Sequence, residues 1–342
     1  MRLLIGGYTP ESGGGIGVVT LEDGRLGTPR LVAEAANPTF VVVSPDARVA
    51  YAVLQADGAD EGAVAAWLVG DGDSDGAWTA LGEQSTGGKG PCHLALSPDG
   101  RFVAAANYEA GSVSVNRIED DGSVGPRTTL VVHSGAVGPA TDRQEAPHAH
   151  EVVFGPSGHL FVCDLGLDAV IAYELDGVTG DLRELHRAVM PAGTGPRHLA
   201  FSPDGATAWV VGELASTVTA CAVKGPTLTP LSTVSSRAAG AQGEDLAAEI
   251  VVSADGGTVF VSNRGDDTVA TFSVDGASVT LQSAVHCGGH WPRYIGFGED
   301  EQTLVVTNER SDSVAVLSRD DGSWTVSQTV EWPTPTVAAR VP

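Results

Sequence analysis

One separation recurs along this chain. Phe40 and Leu54, His93 and Asn107, His150 and Asp164, His198 and Gly212, Glu249 and Asn263, and Tyr294 and Asn308 all stand fourteen residues apart. Each pair brackets an apolar run, a Ser-Pro-Asp-Gly type of turn and a second apolar run, as in His93 to Ser97, Pro98-Asp99-Gly100 and Phe102 to Asn107. Proline presets φ at the first corner, and Asp and Gly tolerate the rest, so each copy reads as a hairpin of fixed register. The third copy places its turn, Gly155-Pro156-Ser157-Gly158, one residue later without changing the total. A third alternating strand follows each hairpin, for example Thr217 to Ala220 and Ser313 to Leu317, and a weaker outer strand follows that. Four antiparallel strands in a period of about 43 to 57 residues make a propeller blade. The ends supply a seventh copy: Arg2 to Tyr8 matches Thr303 to Glu309, and Pro335 to Ala339 echoes Pro38 to Val42. The chain therefore reads as all-β, one seven-bladed β-propeller domain over residues 1–342, with its first and last strands closing the ring in one blade. Asp71 to Gly76 reads as a loop between outer strands, Gly13 to Gly17 as a flexible loop, and Gly135 to Ala146 as an irregular stretch over a ring face.

Charge narrows the function. The net charge is −24, from 43 acids against 19 bases, which disfavours nucleic acid and anionic membranes as partners. Many acids sit in Asp-Gly turns and read as solvated surface, so the few arginines are the more informative. Cys92, Cys163, Cys221 and Cys287 show neither metal-ligand nor redox spacing and read as buried free thiols. No run is long enough for a membrane helix, and Met1 to Gly7 is too short for a signal peptide; a cytoplasmic monomer or weak homo-oligomer is the expectation.

In a propeller the starts of the first strands and the links after the second strands converge on one face. Residues that break the repeat there are the candidates. Ala146-Pro147-His148-Ala149-His150-Glu151 is the sharpest break. Residues two apart on a strand share a face, and His150 stands at the repeated first-strand position, where a neutral-range base suits the activation of water. The alternative is a histidine bonded to a neighbouring blade. His93 and His198 occupy equivalent repeat positions, so a metal reading exists. Ring-related positions need not approach within ligand distance, and no metal or cofactor is assigned. Arg197 and Arg293 precede first strands and Arg264 follows a second strand, which suggests an anion site. The alternative is pairing with the acids Glu213, Glu249 and Glu309. Glu213 and Glu249 interrupt apolar strand ends, where a carboxylate is costly unless paired. Each has three readings: orienting a histidine, acting as a base, or clamping an arginine. Asn107, Asn263 and Asn308 read as caps of strand–loop junctions, with Asp164 similar to them.

An ordered set of short motifs runs through these positions: Gly6-Gly7-Tyr8-Thr9, Pro147-His148-Ala149-His150, Asp164-Leu165-Gly166-Leu167-Asp168, Gly195-Pro196-Arg197-His198-Leu199, Gly212-Glu213-Leu214, Ala248-Glu249-Ile250, Ser262-Asn263-Arg264-Gly265 and Pro292-Arg293. In these the chain resembles the seven-bladed β-propeller lactonase family, which includes bacterial 6-phosphogluconolactonase and the fungal carboxymuconate lactonizing enzyme. The resemblance covers essentially the whole chain. It implies a channel-mouth site centred on His150, Arg197, Glu213 and Arg264, supported by His148 and Arg293. Two departures stand out: Ala169 follows Asp168 where the family usually has a basic residue, and Val251 follows Ile250 where a histidine is common.

The leading expectation is hydrolysis of an anionic sugar lactone, with 6-phosphogluconolactone first among the substrates. His150 is the general base, helped or oriented by Glu213. Arg197, Arg264 and Arg293 hold the substrate anion and the developing oxyanion. His148, Arg293, Glu249, His198 and Asp164 form the wider substrate-binding set, and no metal is needed. A muconolactone cycloisomerase would use the same residues for proton transfer. A non-catalytic interaction module would instead need exposed apolar patches on one face.

Overall fold

The recurring turn is held by its own side chains. Ser202 Oγ donates to Asp204 Oδ1 at 2.6 Å, Asp204 Oδ1 accepts from the Ala206 amide at 3.0 Å, and Ser202 Oγ accepts from the Thr207 amide at 3.0 Å. Gly205 takes the left-handed corner at φ 69°. The turns at Ser44/Asp46, Ser97/Asp99 and Ser253/Asp255 repeat the Ser–Asp bond. Serine and aspartate thus satisfy the corner amides locally, and the tight hairpin follows.

The computed structural model describes residues 1–10, 14–56, 58–70 and 78–342. Its strands form seven antiparallel sheets. Numbered from the first complete copy, blades 1 to 6 have innermost strands Phe40–Val43, Pro91–Leu96, Ala149–Phe154, Pro196–Phe201, Ala247–Val252 and Pro292–Phe297. The seventh is the closing blade. There Pro335–Arg340 pairs with Arg2–Gly7 in the register Leu3 to Arg340 and Ile5 to Ala338. Neighbouring innermost strands contact one another around a complete cycle, so the sheets form a closed ring with a central channel. Gly15, Ile16 and Gly17 begin the strand Gly15–Glu22, not a loop. Asp71 to Gly76 and Gly13 lie outside the described residues.

Second and third strands are buried on both sides, whereas outermost strands are largely exposed. The core lies between blades. Trp209, Val211 and Val218 of blade 4 pack on Ile250, Val261 and Phe272 of blade 5, and each further junction has its own apolar cluster. Cys163, Cys221 and Cys287 are buried free thiols, and Cys92 is half-buried. Among the described residues no helix is long and apolar enough to cross a membrane.

Candidate active site

The fourteen-residue spacing does not mark opposed residues. In blades 2, 4, 5 and 6 the last residue of the second strand opposes the proline or alanine that opens the first: Asn107 with Pro91, Gly212 with Pro196, Asn263 with Ala247, Asn308 with Pro292. Just inside that pair the ladder slips, leaving Cys92, Arg197 with His198, Ala248 with Glu249, and Arg293 at β-bulges. A bulge re-aims the side chain it frees, and here it turns these residues toward the channel.

Blade 3 departs by one residue. Its hairpin loop closes Phe154 onto Leu160, one residue shorter than the loop closing Phe201 onto Ala208. The bulged residue is consequently His150, between the pairs Ala149–Asp164 and Glu151–Cys163. His150 is thus the ring equivalent of Cys92, Arg197 and Arg293, not of His93 and His198 as the constant spacing suggests. The true counterpart of His93, His198, Glu249 and Tyr294 is Glu151. His148 precedes the strand altogether and does not share a face with His150.

The channel therefore carries two layers. At the mouth, a cavity of about 320 Å³ is lined by Tyr8, Cys92, Tyr108, Arg143, His150, Glu213, Arg264 and Arg293 among others. Below it lie His93, Glu151, His198 and Glu249, all buried. A wider groove of about 500 Å³ beside Trp67 is lined by Glu34, Glu61 and Glu83 and by no cation, so it is no anion site.

Glu213 is the hub of the mouth. Its carboxylate lies 2.6 Å from Arg143 Nη2, 2.8 Å from Arg264 Nη2 and 3.2 Å from Arg197 Nε. Burial pushes this carboxyl up, but Arg264, Arg197 and Arg143 together outweigh it and hold it at about 2. Of the three readings open for Glu213, the structure supports the arginine clamp; it makes no hydrogen bond to His150 among the described residues. Arg197 is 3% exposed, donates to the Ala248 carbonyl at 2.7 Å and stands behind the cavity wall. Arg264 donates through Nε and Nη2 to the Leu246 and Ala247 carbonyls, and Arg293 Nη1 donates to Glu309 at 2.8 Å. Within the described residues, Nη1 of Arg264 and Nη2 of Arg293 make no hydrogen bond.

His150 has neither ring nitrogen hydrogen-bonded within the described residues, and its Nδ1 is buried. Burial first, then the charges of Arg197, His198, Arg293 and Arg264, lowers it well below the ordinary histidine value. A neutral imidazole therefore faces a cavity rimmed by guanidiniums. Tyr108 packs against it edge-on at 5.6 Å. Behind Tyr108, His148 stacks at 4.6 Å with both nitrogens engaged, Nδ1 with the Tyr108 carbonyl and Nε2 with Glu145. His148 supports Tyr108 and does not line the cavity.

Asp164 and Glu249 also lie apart from the cavity. Asp164 is fully buried and accepts from His133 Nδ1 and from the amides of His148 and Leu167, which fixes the hairpin end beside His150. Asp168 accepts from the Gly193 and Gly195 amides, just before Arg197, and from Gln144 beside Arg143. The Asp-Leu-Gly-Leu-Asp motif thus ties together the segments that carry His150, Arg197 and Arg143. Ala169 is buried within the blade, so the departure at this position leaves the cavity lining untouched.

Arg143 and Tyr108 escape the sequence reading, and Tyr8 enters it only within the Gly6-Gly7-Tyr8-Thr9 motif, with no place in the site. The only pointer to Arg143 was the irregular stretch 135–146, which carries it over the mouth. That stretch is seated on Gly166, where a Cβ would stand 1.8 Å from the Ala146 carbonyl oxygen and 3.0 Å from the His148 amide. Both neighbours are backbone, so Gly166→Ala must displace the stretch. The expected result is a loss of about 1–3 kcal/mol in denaturant unfolding, typical of overpacking, with a raised KM as Arg143 shifts.

Comparison with known proteins identifies the family and the fold. The family model "Lactonase, 7-bladed beta-propeller" matches residues 2–339. The chain is 35% identical over 310 residues to 6-phosphogluconolactonase of Bacillus subtilis (strain 168), covering 88% of this chain and 86% of the relative. The solved structure of the periplasmic gluconolactonase of Pseudomonas aeruginosa superposes with a TM-score of 0.90 at 31% identity, over 100% of this chain and 99% of that one. A structure from Lactobacillus plantarum gives a TM-score of 0.90 at 34% identity, over 98% and 97% of the two chains.

Proposed function

The chain belongs to the seven-bladed β-propeller lactonase family, and we propose that it is a hydrolase of anionic sugar lactones, with 6-phosphogluconolactone its substrate and 6-phosphogluconate its product. One observation carries this reading. In a chain of net charge −24, the side chains of Arg143, Arg264 and Arg293 line one cavity beside a neutral His150, with Arg197 behind them. The nearby carboxylates of Glu213 and Glu309 leave that set of four guanidiniums net cationic.

The reaction follows from these groups. His150 Nε2 takes a proton from water as the water oxygen bonds to the lactone carbonyl carbon. The carbonyl oxygen gains the charge, and the free Nη groups of Arg264 and Arg293, which line the same cavity, receive it. The ring C–O bond then breaks, and the proton held by His150 passes to the leaving alkoxide, giving the open acid. Arg143, at the rim and about one-third exposed in its side chain, meets the phosphate. Arg197 acts one step back by holding Glu213 in place. Cytoplasmic residence goes with this substrate, because a phosphorylated sugar does not cross a bilayer unaided.

Arg143→Ala tests the phosphate assignment. KM for 6-phosphogluconolactone should rise about tenfold, the worth of roughly 1.4 kcal/mol, while KM for unphosphorylated gluconolactone stays within about twofold. Equal changes for both lactones would remove the phosphate from Arg143. Initial rates by pH-stat supply both constants.

A further inference from the structure

The lower layer of the channel holds groups that the reaction above does not use. His93, Glu151 and His198 come from three successive blades, and each offers one ligand-type atom, all within 4.8 Å of one another. They are between 3% and 7% exposed. Around them the channel is aromatic: Phe40 lies tilted against His93 at 3.8 Å, and His93 and His198 meet edge to face at 5.1 Å.

Three features distinguish this cluster from an ordinary buried polar group. His198 Nδ1 lies 2.8 Å from Glu249 Oε1, which orients the ring and leaves Nε2 with its lone pair. A carboxylate backing a histidine in this way is the usual outer partner of a metal-bound imidazole. His93 Nδ1 is buried without a hydrogen-bond partner among the described residues, although an orphaned nitrogen costs free energy. Glu151 Oε2 is fixed by the Leu199 amide at 2.7 Å, so the carboxylate is placed, not mobile. Two imidazoles and a carboxylate are a donor set that suits zinc and its borderline divalent neighbours. Ligand atoms around such an ion stand about 3.4 Å apart, so a trio whose atoms lie within 4.8 Å of one another must draw together to close on it.

We propose that His93, Glu151 and His198 form a site for a divalent transition metal of the zinc class, below the mouth cavity, with the His198 ring edge-on to that of His150 at 5.1 Å. Glu249 orients His198 and does not ligate. The ion ties blades 2, 3 and 4 together at the channel axis. Only one blade carries a carboxylate at this ring position between two histidines, and it does so because of the short hairpin loop in blade 3.

The test uses the full chain without an affinity tag, stripped with chelator and then titrated with Zn²⁺ or Co²⁺. One equivalent of zinc should bind per chain, the thermal transition should rise by several degrees as expected when a ligand binds only the folded state, and Co²⁺ should give visible d–d bands. Glu151→Gln and His93→Gln should each lower zinc affinity at least tenfold. The cobalt spectrum of the unaltered protein decides the matter if either variant fails to fold. No bound equivalent, no cobalt bands and no thermal shift would overturn the proposal, as would undiminished binding in a folded His93→Gln protein.

Discussion

Replacing His150 with alanine is expected to lower kcat/KM for lactone opening by about 10²–10⁴, the contribution of a positioned general base. The argument rests on geometry and on protonation. His150 faces the cavity from a bulge, and burial and four cationic or imidazole neighbours disfavour its imidazolium form. A base with a depressed pKa stays unprotonated as pH falls. The acid limb of kcat/KM should therefore lie well below the ordinary histidine value of 6.5, and the rate should be level from neutral pH through 6.5. A rate that falls by half near 6.5 would mean that an ordinary, unperturbed histidine controls turnover.

Glu213→Ala should have the largest effect on stability, about 3–5 kcal/mol, because it leaves Arg197 and Arg264 as buried charges without their partner. Urea unfolding at constant m-value would measure it. The same clamp sets an acid limit. Glu213 sits at about 2 in the folded chain against 4.5 in its ordinary state. The unfolded chain thus takes up the proton first as pH falls. The stabilisation is complete above 4.5 and is lost progressively as pH drops toward about 2, amounting to about 3 kcal/mol in all. Glu213→Gln separates the clamp from a role in proton transfer. As a clamp, its loss raises KM and lowers stability while the acid limb of kcat/KM stays where His150 puts it. A displaced limb would restore Glu213 to proton transfer.

The fold was legible because its determinants are local. Ser202, Asp204 and Gly205 make the turn by themselves, and the alternating runs around them define which strands pair. Ring closure was legible because Pro335 to Ala339 carries the first-strand pattern that the N-terminus lacks. The site was legible as a set of residue types at one end of the channel, but its layering was not. A shorter loop in blade 3 hides behind an unchanged fourteen-residue spacing, so His150 and Glu151 each lie one ring position from where counting puts them. Bulges arise from ladder slips that no residue announces. Arg143 lies in a link between blades, 133–148, that is longer than the corresponding links 86–90, 190–195, 236–246 and 287–291, so repetition could not point to it. Pairing with acids was one of the readings open for the arginines, but that Arg264 of one blade meets Glu213 of the next is a contact that spacing along the chain does not select.

The most direct test of the hydrolase reading is the initial rate of acid release from 6-phosphogluconolactone, followed by pH-stat at neutral pH with the intact protein and the His150→Ala protein side by side. Opening well above the spontaneous rate by the intact protein, lost in the folded variant, is the expected result. No acceleration by the intact protein, or an equal rate in the variant, would contradict the assignment of this cavity and of His150 as its base.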